Sequence, residues 1–241
     1  MVREIIAELM CCGQCRKCED TKMNMIKRFC ASMAVALLSV VSSNAGLIQN
    51  WSFENGNFVP DANNVMSLNP SATDLTNWEI INGSLAWINS GAAFGLSPYD
   101  GQRFLDLSDY RDQAPWGGVR QTFATQFGQN YKLTFALGSS TSFAPPSGNV
   151  NVVVTISGVG SQTFSSSPTV VNQWDVKTYE FTAAGNSTDI SFVGQAADGT
   201  KYIGLDAVDV DIVLVPEPSS LLLLGGGLIG MSVLRRSRGQ K

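Results

Sequence analysis

Short runs of alternating apolar and polar residues recur through the middle of the chain, from residue 46 to residue 215. Clusters of Gly, Asn, Ser and Pro separate them, and no stretch keeps the 3.6-residue period of an amphipathic helix. The runs predict nine strands: Leu85–Asn89, Arg103–Leu107, Gly118–Thr122, Tyr131–Leu137, Asn149–Ile156, Ser161–Phe164, Trp174–Thr182, Asp189–Val193 and Tyr202–Val213. This spacing is typical of an all-β protein built as an antiparallel β-sandwich or jelly roll.

Several of these strands alternate clearly enough to assign the side that faces the core. Successive side chains of a strand point to opposite faces, so the apolar set of each run is predicted to be buried. These sets are Tyr131, Leu133, Phe135 and Leu137; Val150, Val152, Val154 and Ile156; Tyr179 and Phe181; and Ile190 and Phe192. Asp209 and Asp211 alternate with apolar residues in the last run, and we predict that they face solvent.

An apolar run near the start of the chain predicts export. Residues 29–41 are apolar apart from two serines, Lys27 and Arg28 precede them, and small residues follow up to Ala45. A basic segment, an apolar run of about 13 residues and small residues before a break are typical of a secretory signal peptide. We therefore predict a signal helix over residues 23–45, cleaved after Ala45; a buried helix of the fold is the alternative. Residues 1–22 are predicted to be an extension from a mis-called start codon.

A second apolar run closes the chain. Residues 215–218 are Val-Pro-Glu-Pro, residues 219–234 are apolar apart from serines and glycines, and four basic residues follow. The prolines are expected to end the preceding domain. The apolar run of about 16 residues is slightly shorter than most transmembrane helices, and three glycines in a row weaken it further. The basic end favours a cytoplasmic location, which leaves everything before it outside. An ordinary tail anchor or one partner of a helical hairpin is the alternative.

These C-terminal features together resemble a known sorting signal. Pro216, Glu217 and Pro218, the glycine-broken apolar segment and the cluster with Arg235 and Arg236 follow the order of the PEP-CTERM sorting signal of Gram-negative bacteria. The resemblance implies that an exosortase recognises residues 215–241 and cuts near the prolines. It also implies an exported protein of the cell surface or extracellular matrix, held in the inner membrane by a short C-terminal transmembrane helix before processing.

Composition excludes several kinds of active site. The chain contains no histidine, and its five cysteines, Cys11, Cys12, Cys15, Cys18 and Cys30, all precede the predicted cleavage point. The spacing of the first four suggests a metal site, but no second half of such a site follows. The exported part therefore cannot assemble a Ser-His-Asp or Cys-His centre, or a zinc site of the usual kind. A metal bound only through oxygen ligands points to calcium.

The charge of the exported part argues against a nucleic-acid partner. Residues 46–215 contain six Lys or Arg and fifteen Asp or Glu, which gives a net charge of 6 − 15 = −9. Binding to a phosphate backbone needs clustered basic residues. We therefore expect no contact with nucleic acid, and the acidity suits a soluble extracellular domain.

A series of motifs across residues 46–214 resembles a second family. The motifs are Asn50–Gly56, Pro98–Leu107, Gly118–Phe123, Gly128–Leu137 and Gly204–Val210. In this order they are similar to the galactose-binding-like β-sandwich domains found in carbohydrate-binding modules. The resemblance implies one sandwich domain over residues 46–214. It also implies a structural calcium that joins the first and last strands through Glu54, the carbonyl of Gly56, and Asp206. The alternative is that Glu54 ends a strand and Asp206 caps a turn.

Aromatic residues beside loops are the candidates for sugar binding. Sugar rings stack their apolar faces on Trp and Tyr while polar side chains bond the hydroxyls. Four aromatic residues lie in or beside Gly, Pro and Ser-rich segments: Trp87, Tyr99, Tyr110 and Trp116. For Trp116, core packing is an equal alternative. Trp51, Trp78 and Trp174 have strand-like neighbours, and we predict that they belong to the core.

The sequence therefore predicts a non-catalytic surface or matrix protein that associates with polysaccharide. A purely structural matrix protein without a sugar site is the first alternative. A glycoside hydrolase is the second, because Asp106 with Asp109 or Asp112 could supply the two carboxylates that this reaction needs.

Overall fold

The computed structural model describes residues 46–142, 149–197, 199 and 202–213, all within one compact unit. Three predicted segments lie outside these residues: the N-terminal extension with its cysteines, the signal helix and the sorting segment with its C-terminal helix. Within the described part of the chain, no helix is long and apolar enough to cross a membrane.

The described residues form two antiparallel sheets and one short 3-10 turn at Asp109–Arg111. The strands are β1 Val65–Leu68, β2 Glu79–Asn82, β3 Leu85–Asn89, β4 Arg103–Asp106, β5 Gly117–Ala124, β6 Asn130–Ser139, β7 Val150–Ile156, β8 Gly160–Ser166, β9 Gln173–Thr182, β10 Ser187–Gln195 and β11 Gly204–Ile212. One sheet has the order β1-β3-β4-β11-β6-β9, and the other has the order β2-β5-β10-β7-β8. The predicted antiparallel β-sandwich is confirmed.

All nine predicted strands are present, with ends that differ by two residues or fewer. The two strands that were not predicted, β1 and β2, have four residues each. In β1 the buried residues are Val65 and Leu68, which are three apart, so the period-two signal is absent. Strands this short are stabilised by pairing with a neighbouring strand: β1 pairs with β3, and β2 pairs with β5.

The predicted core faces meet between the two sheets. Leu133, Phe135, Val152 and Val154 are completely buried there, and every other residue of the predicted sets is buried or packs against this cluster. Apolar surface removed from water contributes about 25 cal/mol per Å², so this shared interior is the main source of stability. Asp211 is exposed as predicted. Asp209 is partly buried, and its pKa is raised by that burial and by Asp211.

A second apolar cluster covers part of the outer face of the six-stranded sheet, over β1, β3 and β4. Along β3, Leu85 and Trp87 belong to the inter-sheet core, whereas Ala86 and Ile88 belong to the second cluster on the opposite face. The cluster comprises Val65, Ala86, Ile88, Ala92, Leu96, Phe104 and Tyr202, with Trp174 packed against it. The loop from Ser90 to Gln102, between β3 and β4, contributes Ala92 and Leu96 to it.

Side chains at the start of β9 anchor this loop. The indole Nε1 of Trp174 donates to the carbonyl of Ser97 at 3.1 Å. The amide of Ser97 in turn donates to Oδ1 of Asn172 at 3.1 Å. Because these bonds fix the loop beside the outer face of the sheet, the loop forms a wall on a face that would otherwise be open.

Candidate ligand pocket on the outer face of the six-stranded sheet

A pocket of about 260 Å³ lies beside the second apolar cluster. Its lining combines an apolar surface with several carboxyl groups. The lining residues are Val65, Ala86, Ile88 and Asp106 from the sheet, Phe94 and Leu96 from the β3–β4 loop, and Asp109, Tyr110 and Asp112 after β4. Apolar surface with a few convergent polar groups is the usual composition of a small-molecule site.

Tyr110 is the aromatic residue at the mouth of this pocket, and its ring is held in place from two sides. Its hydroxyl donates to Oδ2 of Asp61 at 2.9 Å, and its ring meets that of Phe94 edge-on at 6.0 Å. Oδ1 of Asp61 accepts the amides of Asn63 and Val65 at 2.8 and 3.1 Å, which fixes the acceptor. Tyr110 nevertheless remains 48% exposed. A half-exposed ring with a fixed hydroxyl can offer one face to a ligand.

Asp109 has a structural role beneath Tyr110. One carboxylate oxygen accepts the hydroxyl of Ser67 and the other accepts the hydroxyl of Ser84, both at 2.7 Å. The residue is buried and has a left-handed backbone with φ of 52°. Such strain persists only where neighbouring contacts hold it. The two serine bonds therefore fix the turn that presents Tyr110.

Asp106 is the most deeply buried acid of the pocket. Its Oδ1 accepts the amides of Ser108 and Ile203, each at 2.9 Å, and the Ser108 hydroxyl at 2.8 Å. Burial raises the pKa of Asp106 to about 7, against the opposing effect of these hydrogen bonds, and Asp112 raises it further. Asp106 is therefore expected to take up a proton at a higher pH than an ordinary carboxyl group.

Tyr202 adjoins Asp106 but has a packing role. Its ring is buried at a right angle to that of Phe104, with centroids 5.9 Å apart. Its hydroxyl is one of two buried side-chain groups without a hydrogen-bond partner in the described part of the chain. Burial raises its pKa well above the ordinary value, and the charges of Asp106 and Asp206 act in the same direction. A Cβ on Gly138 or Gly204 would lie 2.7 or 2.6 Å from this hydroxyl, so both strands need glycine there.

The predicted calcium ligands hold a different segment, residues 99–103. Oε1 of Glu54 accepts the amides of Gln102 and Arg103 at 2.6 and 2.7 Å. Oδ2 of Asp206 accepts the amides of Tyr99 and Asp100 at 2.9 and 3.0 Å. Asp206 is completely buried. Its burial raises its pKa to about 7, and Asp100 adds to the effect.

The prediction that Glu54 lies on the first strand is wrong. Glu54 follows a turn in which the amide of Phe53 donates to the carbonyl of Asn50, and the first strand begins at Val65. Asp206 does lie on the last strand, β11. The two carboxylates are brought to one segment by tertiary contacts and not by pairing of the first and last strands.

The calcium site itself stays a prediction. In the residues that the structure describes, no three Asp, Glu, His or Cys side chains group closely enough to hold a metal. The Arg103 guanidinium lies 3.7 Å from the Glu54 carboxylate and donates to the Glu54 carbonyl at 2.6 Å. Gly56 forms an isolated antiparallel bridge with Leu75. As arranged, Glu54 and Asp206 act as acceptors for protein donors, and a calcium ion would have to displace some of them.

Two of the four predicted sugar-binding aromatics belong to the core. Trp87 is completely buried and Trp116 is 6% exposed, both in the inter-sheet cluster, so the prediction that they present ring faces to a sugar is wrong. Tyr99 is 49% exposed but lies outside the pocket, with its ring 6.2 Å from that of Trp174. Only Tyr110 lines the pocket.

Of the three remaining tryptophans, two pack in apolar clusters and one is exposed. Trp78 is buried as predicted, and Trp174 is partly buried in the second cluster. Trp51 is 43% exposed, so its assignment to the core is wrong. It lies in the turn after Asn50, where the backbone carbonyl of Trp51 accepts the amide of Val208 while the ring remains outside.

Comparison with known families identifies two parts of the chain. Residues 46–210 match the family described as "Protein of unknown function (DUF642)". Residues 214–238 match the PEP-CTERM protein-sorting motif, which confirms the predicted sorting signal. No curated protein matches the chain in sequence.

Several solved structures are similar to the chain at low sequence identity. A structure of TmCBM61 in complex with beta-1,4-galactotriose is 13% identical, with a TM-score of 0.40 over 70% of this chain and 99% of that one. A family 35 carbohydrate-binding module from Clostridium thermocellum is 18% identical, with a TM-score of 0.39 over 60% and 97%. An isomalto-dextranase of Arthrobacter globiformis T6 complexed with panose is 14% identical, with a TM-score of 0.39 over 63% and 24%.

Proposed function

The chain belongs to the DUF642 family, and we propose that this member is a non-catalytic polysaccharide-binding protein of the cell surface or extracellular matrix. Its PEP-CTERM motif makes it an exported protein that is transiently anchored in the membrane. We further propose that an exosortase in the inner membrane of a Gram-negative bacterium processes the chain near Pro216, Glu217 and Pro218. The sandwich is then the part that acts outside the cell.

The position of Tyr110 is the observation that supports sugar binding. A sugar offers an apolar C–H face and a rim of hydroxyls, so its site needs an aromatic face beside hydrogen-bonding groups. The half-exposed ring of Tyr110 stands at the mouth of a pocket that also contains apolar sheet residues and carboxyl groups. Because Asp61 already holds the hydroxyl, little ordering of the ring is needed when a ligand binds.

We expect Tyr110→Ala to weaken glycan binding about tenfold, which corresponds to about 1.4 kcal/mol. The substitution removes the stacking face but leaves Asp109, which fixes the turn, in place. The measurement is isothermal titration calorimetry of the full chain against a glycan panel. Phe127→Ala is the matched control, because Phe127 is 76% exposed and lies outside the pocket. Its affinity should equal that of the wild type.

The same titrations separate the alternatives. If the wild type binds no glycan in the panel, the structural matrix protein becomes the better explanation. If Tyr99→Ala removes binding and Tyr110→Ala does not, the sugar site lies over the Tyr99 and Trp174 rings. Either result would contradict the assignment to this pocket.

The arrangement of the acidic residues supports a glycoside hydrolase less well than a binding protein. Both carboxylate oxygens of Asp109 accept serine hydroxyls, so Asp109 is not placed to attack a sugar or activate water. Asp106 is buried with three donors on one oxygen. Release of reducing sugar by the wild type, abolished by Asp106→Asn or Asp112→Asn, would overturn the non-catalytic proposal.

Calcium is tested separately by thermal unfolding in calcium and in a chelator. A ligand that binds only the folded state stabilises it by about 2.7 kcal/mol at one hundred times its dissociation constant. A rise in calcium that is lost in Glu54→Gln and in Asp206→Asn would establish the metal site. Equal midpoints in the two conditions would leave these carboxylates with the role of holding residues 99–103.

A further inference from the structure

The chain leaves the sandwich at one well-defined end, which we call the exit end. It consists of Val213, the loop 125–129 between β5 and β6, the turn 157–159 between β7 and β8, and the loop 183–186 between β9 and β10. The amide of Val213 donates to the carbonyl of Asn130 at 2.9 Å, and Nε2 of Gln129 donates to the carbonyl of Val213 at 3.2 Å. The amide of Gly128 donates to the carbonyl of Ala183 at 2.9 Å. These bonds fix the loops around the last described residue.

Three apolar side chains are exposed at the exit end. Phe127 is 76% exposed, Val159 is 40% exposed and Ile212 is 36% exposed. Phe127 has the highest exposure among the large apolar residues that the structure describes. Val159 shares a recess of about 450 Å³ with Phe181 and Val213. Single exposed apolar residues are ordinary on a protein surface, but a group at one end suggests contact with an apolar partner.

Phe127 is held outward by its own turn. The amide of Gln129 donates to the carbonyl of Gln126 at 3.0 Å, and Gly128 has φ of 77°. Glycine adopts this left-handed conformation without steric cost, which suits the third position of a tight turn. The amide of Phe127 donates to Oδ1 of Asn186 at 3.2 Å. The ring is therefore presented to solvent by a fixed backbone.

The membrane lies within short reach of this end while the protein is anchored. The sorting motif begins at residue 214, directly after the sandwich, and its apolar segment begins at Ser219. Five residues lie between Val213 and Ser219, and because an extended chain spans at most about 3.3 to 3.6 Å per residue, the six steps from Val213 to Ser219 cover roughly 20 Å. A domain at the end of so short a connection must keep its exit end close to the bilayer.

We propose that the exit end docks on the lipid bilayer in the anchored state, with Phe127, Val159 and Ile212 inserted into the membrane interface. Aromatic and aliphatic side chains lower their free energy when they leave water for this region. Lys132 faces Asp211 on one neighbouring strand and Glu180 on the other, which leaves a net charge of 1 − 2 = −1 beside the exit end, so the apolar side chains and not charge must drive the contact. The partner is lipid, and the exosortase or a second copy is the competing occupant.

Docking of the exit end determines where the ligand pocket lies relative to the bilayer. Asp106, at the end of β4, lies opposite Gly204, the first residue of β11, whereas Val213 follows the last residue of β11. A strand rises about 3.3 Å per residue, so these two ends of β11 are roughly 25 Å apart. Tyr110 and Asp106 would therefore lie away from the bilayer, on the side open to extracellular material. Membrane docking does not depend on what the pocket binds.

The test is depth-dependent quenching of a tryptophan added at the exit end. The full chain is reconstituted through its C-terminal segment into vesicles of phosphatidylethanolamine and phosphatidylglycerol, with or without brominated acyl chains. Phe127→Trp is compared with Val171→Trp after subtraction of the wild-type emission. Val171 is 56% exposed in the loop before β9, which starts opposite Ser139 at the other end of the six-stranded sheet.

Docking predicts that the emission added by Phe127→Trp shifts to the blue and loses at least half its intensity in brominated vesicles. The emission added by Val171→Trp should keep its intensity. Equal quenching at both positions would show that the anchored domain has no preferred end, and an unquenched signal at position 127 would show that lipid does not cover it. Either result overturns the proposal, including the case in which a protein partner covers the exit end.

Discussion

Replacement of Trp87 by alanine is expected to lower the free energy of unfolding by about 3 to 5 kcal/mol, the range for a large buried aromatic side chain. Trp87 has no exposed surface, and its Nε1 donates to the carbonyl of Phe53 at 2.9 Å. Its ring meets that of Phe58 edge-on at 4.9 Å, and the Arg103 guanidinium lies 5.5 Å from its centroid. The alanine variant leaves a cavity and a carbonyl acceptor without its donor.

The measurement is urea unfolding of the full chain, with Trp51→Ala as the matched control. Trp51 is 43% exposed, so its loss should cost less than about 1 kcal/mol. The comparison also decides between two roles for Trp87. A variant that unfolds at the same urea concentration as the control but no longer binds glycan would restore the sugar-binding role that the structure argues against.

The contrast between Trp87 and Trp51 shows what sequence patterns can and cannot establish. Strand β3 is correctly predicted, but Ala86, Trp87 and Ile88 are all buried, because the second cluster covers the outer face of the sheet. A strand covered on both faces loses the alternation that marks the inward side. Glycines and serines on either side then suggest a loop site for Trp87, whereas Trp51 occupies a turn although its neighbours resemble a strand.

The strands themselves were predictable for the opposite reason. β6 and β7 each have one apolar set, and the structure buries Leu133, Phe135, Val152 and Val154 between the sheets as their alternation predicts. The pattern specifies which face is inward, and it needs no knowledge of the partner strand. The short strands β1 and β2 were missed because four residues carry too little of this signal.

The pocket could be predicted only in part. The sequence predicts Tyr110 as a loop aromatic and the acids at and after the end of β4 as a carboxylate pair, but it does not predict Val65 and Phe94. They come from a strand without alternation and from a loop that folds back over the outer sheet face. The path of that loop depends on the contacts of Ser97 with Asn172 and Trp174, more than seventy residues away. Contacts between residues so distant leave no local pattern in a single sequence.

The stability of the domain is expected to fall as the pH rises from about 4 to about 7, and Asp106 is a main cause. Its pKa is about 7 in the folded chain, chiefly because of burial, compared with an ordinary value of 3.8. Within this window the folded state holds a proton that the unfolded state releases, so the unfolded state gains stability as the pH rises. A difference of one pKa unit between the folded and unfolded states corresponds to about 1.4 kcal/mol of stability, so Asp106 contributes on the order of 2 to 4 kcal/mol.

Urea unfolding at a series of pH values, in a chelator, measures this effect, and Asp106→Asn isolates it. The amide has the same shape, and its carbonyl can accept the donors of Ser108 and Ile203, but it does not titrate. In this variant, the part of the pH dependence of the unfolding free energy that comes from Asp106 should be absent. The part that comes from Asp206 should remain, because burial also raises the pKa of Asp206 to about 7. Glu180→Gln is the control: Glu180 is exposed on β9, where it faces Lys132 near the exit end, and its variant should keep the full wild-type slope.

The titration of Asp106 also links stability to the pocket. A wild-type stability that rises between pH 5 and pH 7, or an Asp106→Asn variant as steep as the wild type, would contradict a protonated Asp106 in the folded chain. If the slope is found, the protonated carboxyl offers the pocket a hydrogen-bond donor, and the ionised form offers only acceptors. Because Asp106 lines the pocket, glycan affinity in the wild type should then change over the same pH interval as stability, and Asp106→Asn should remove both changes together.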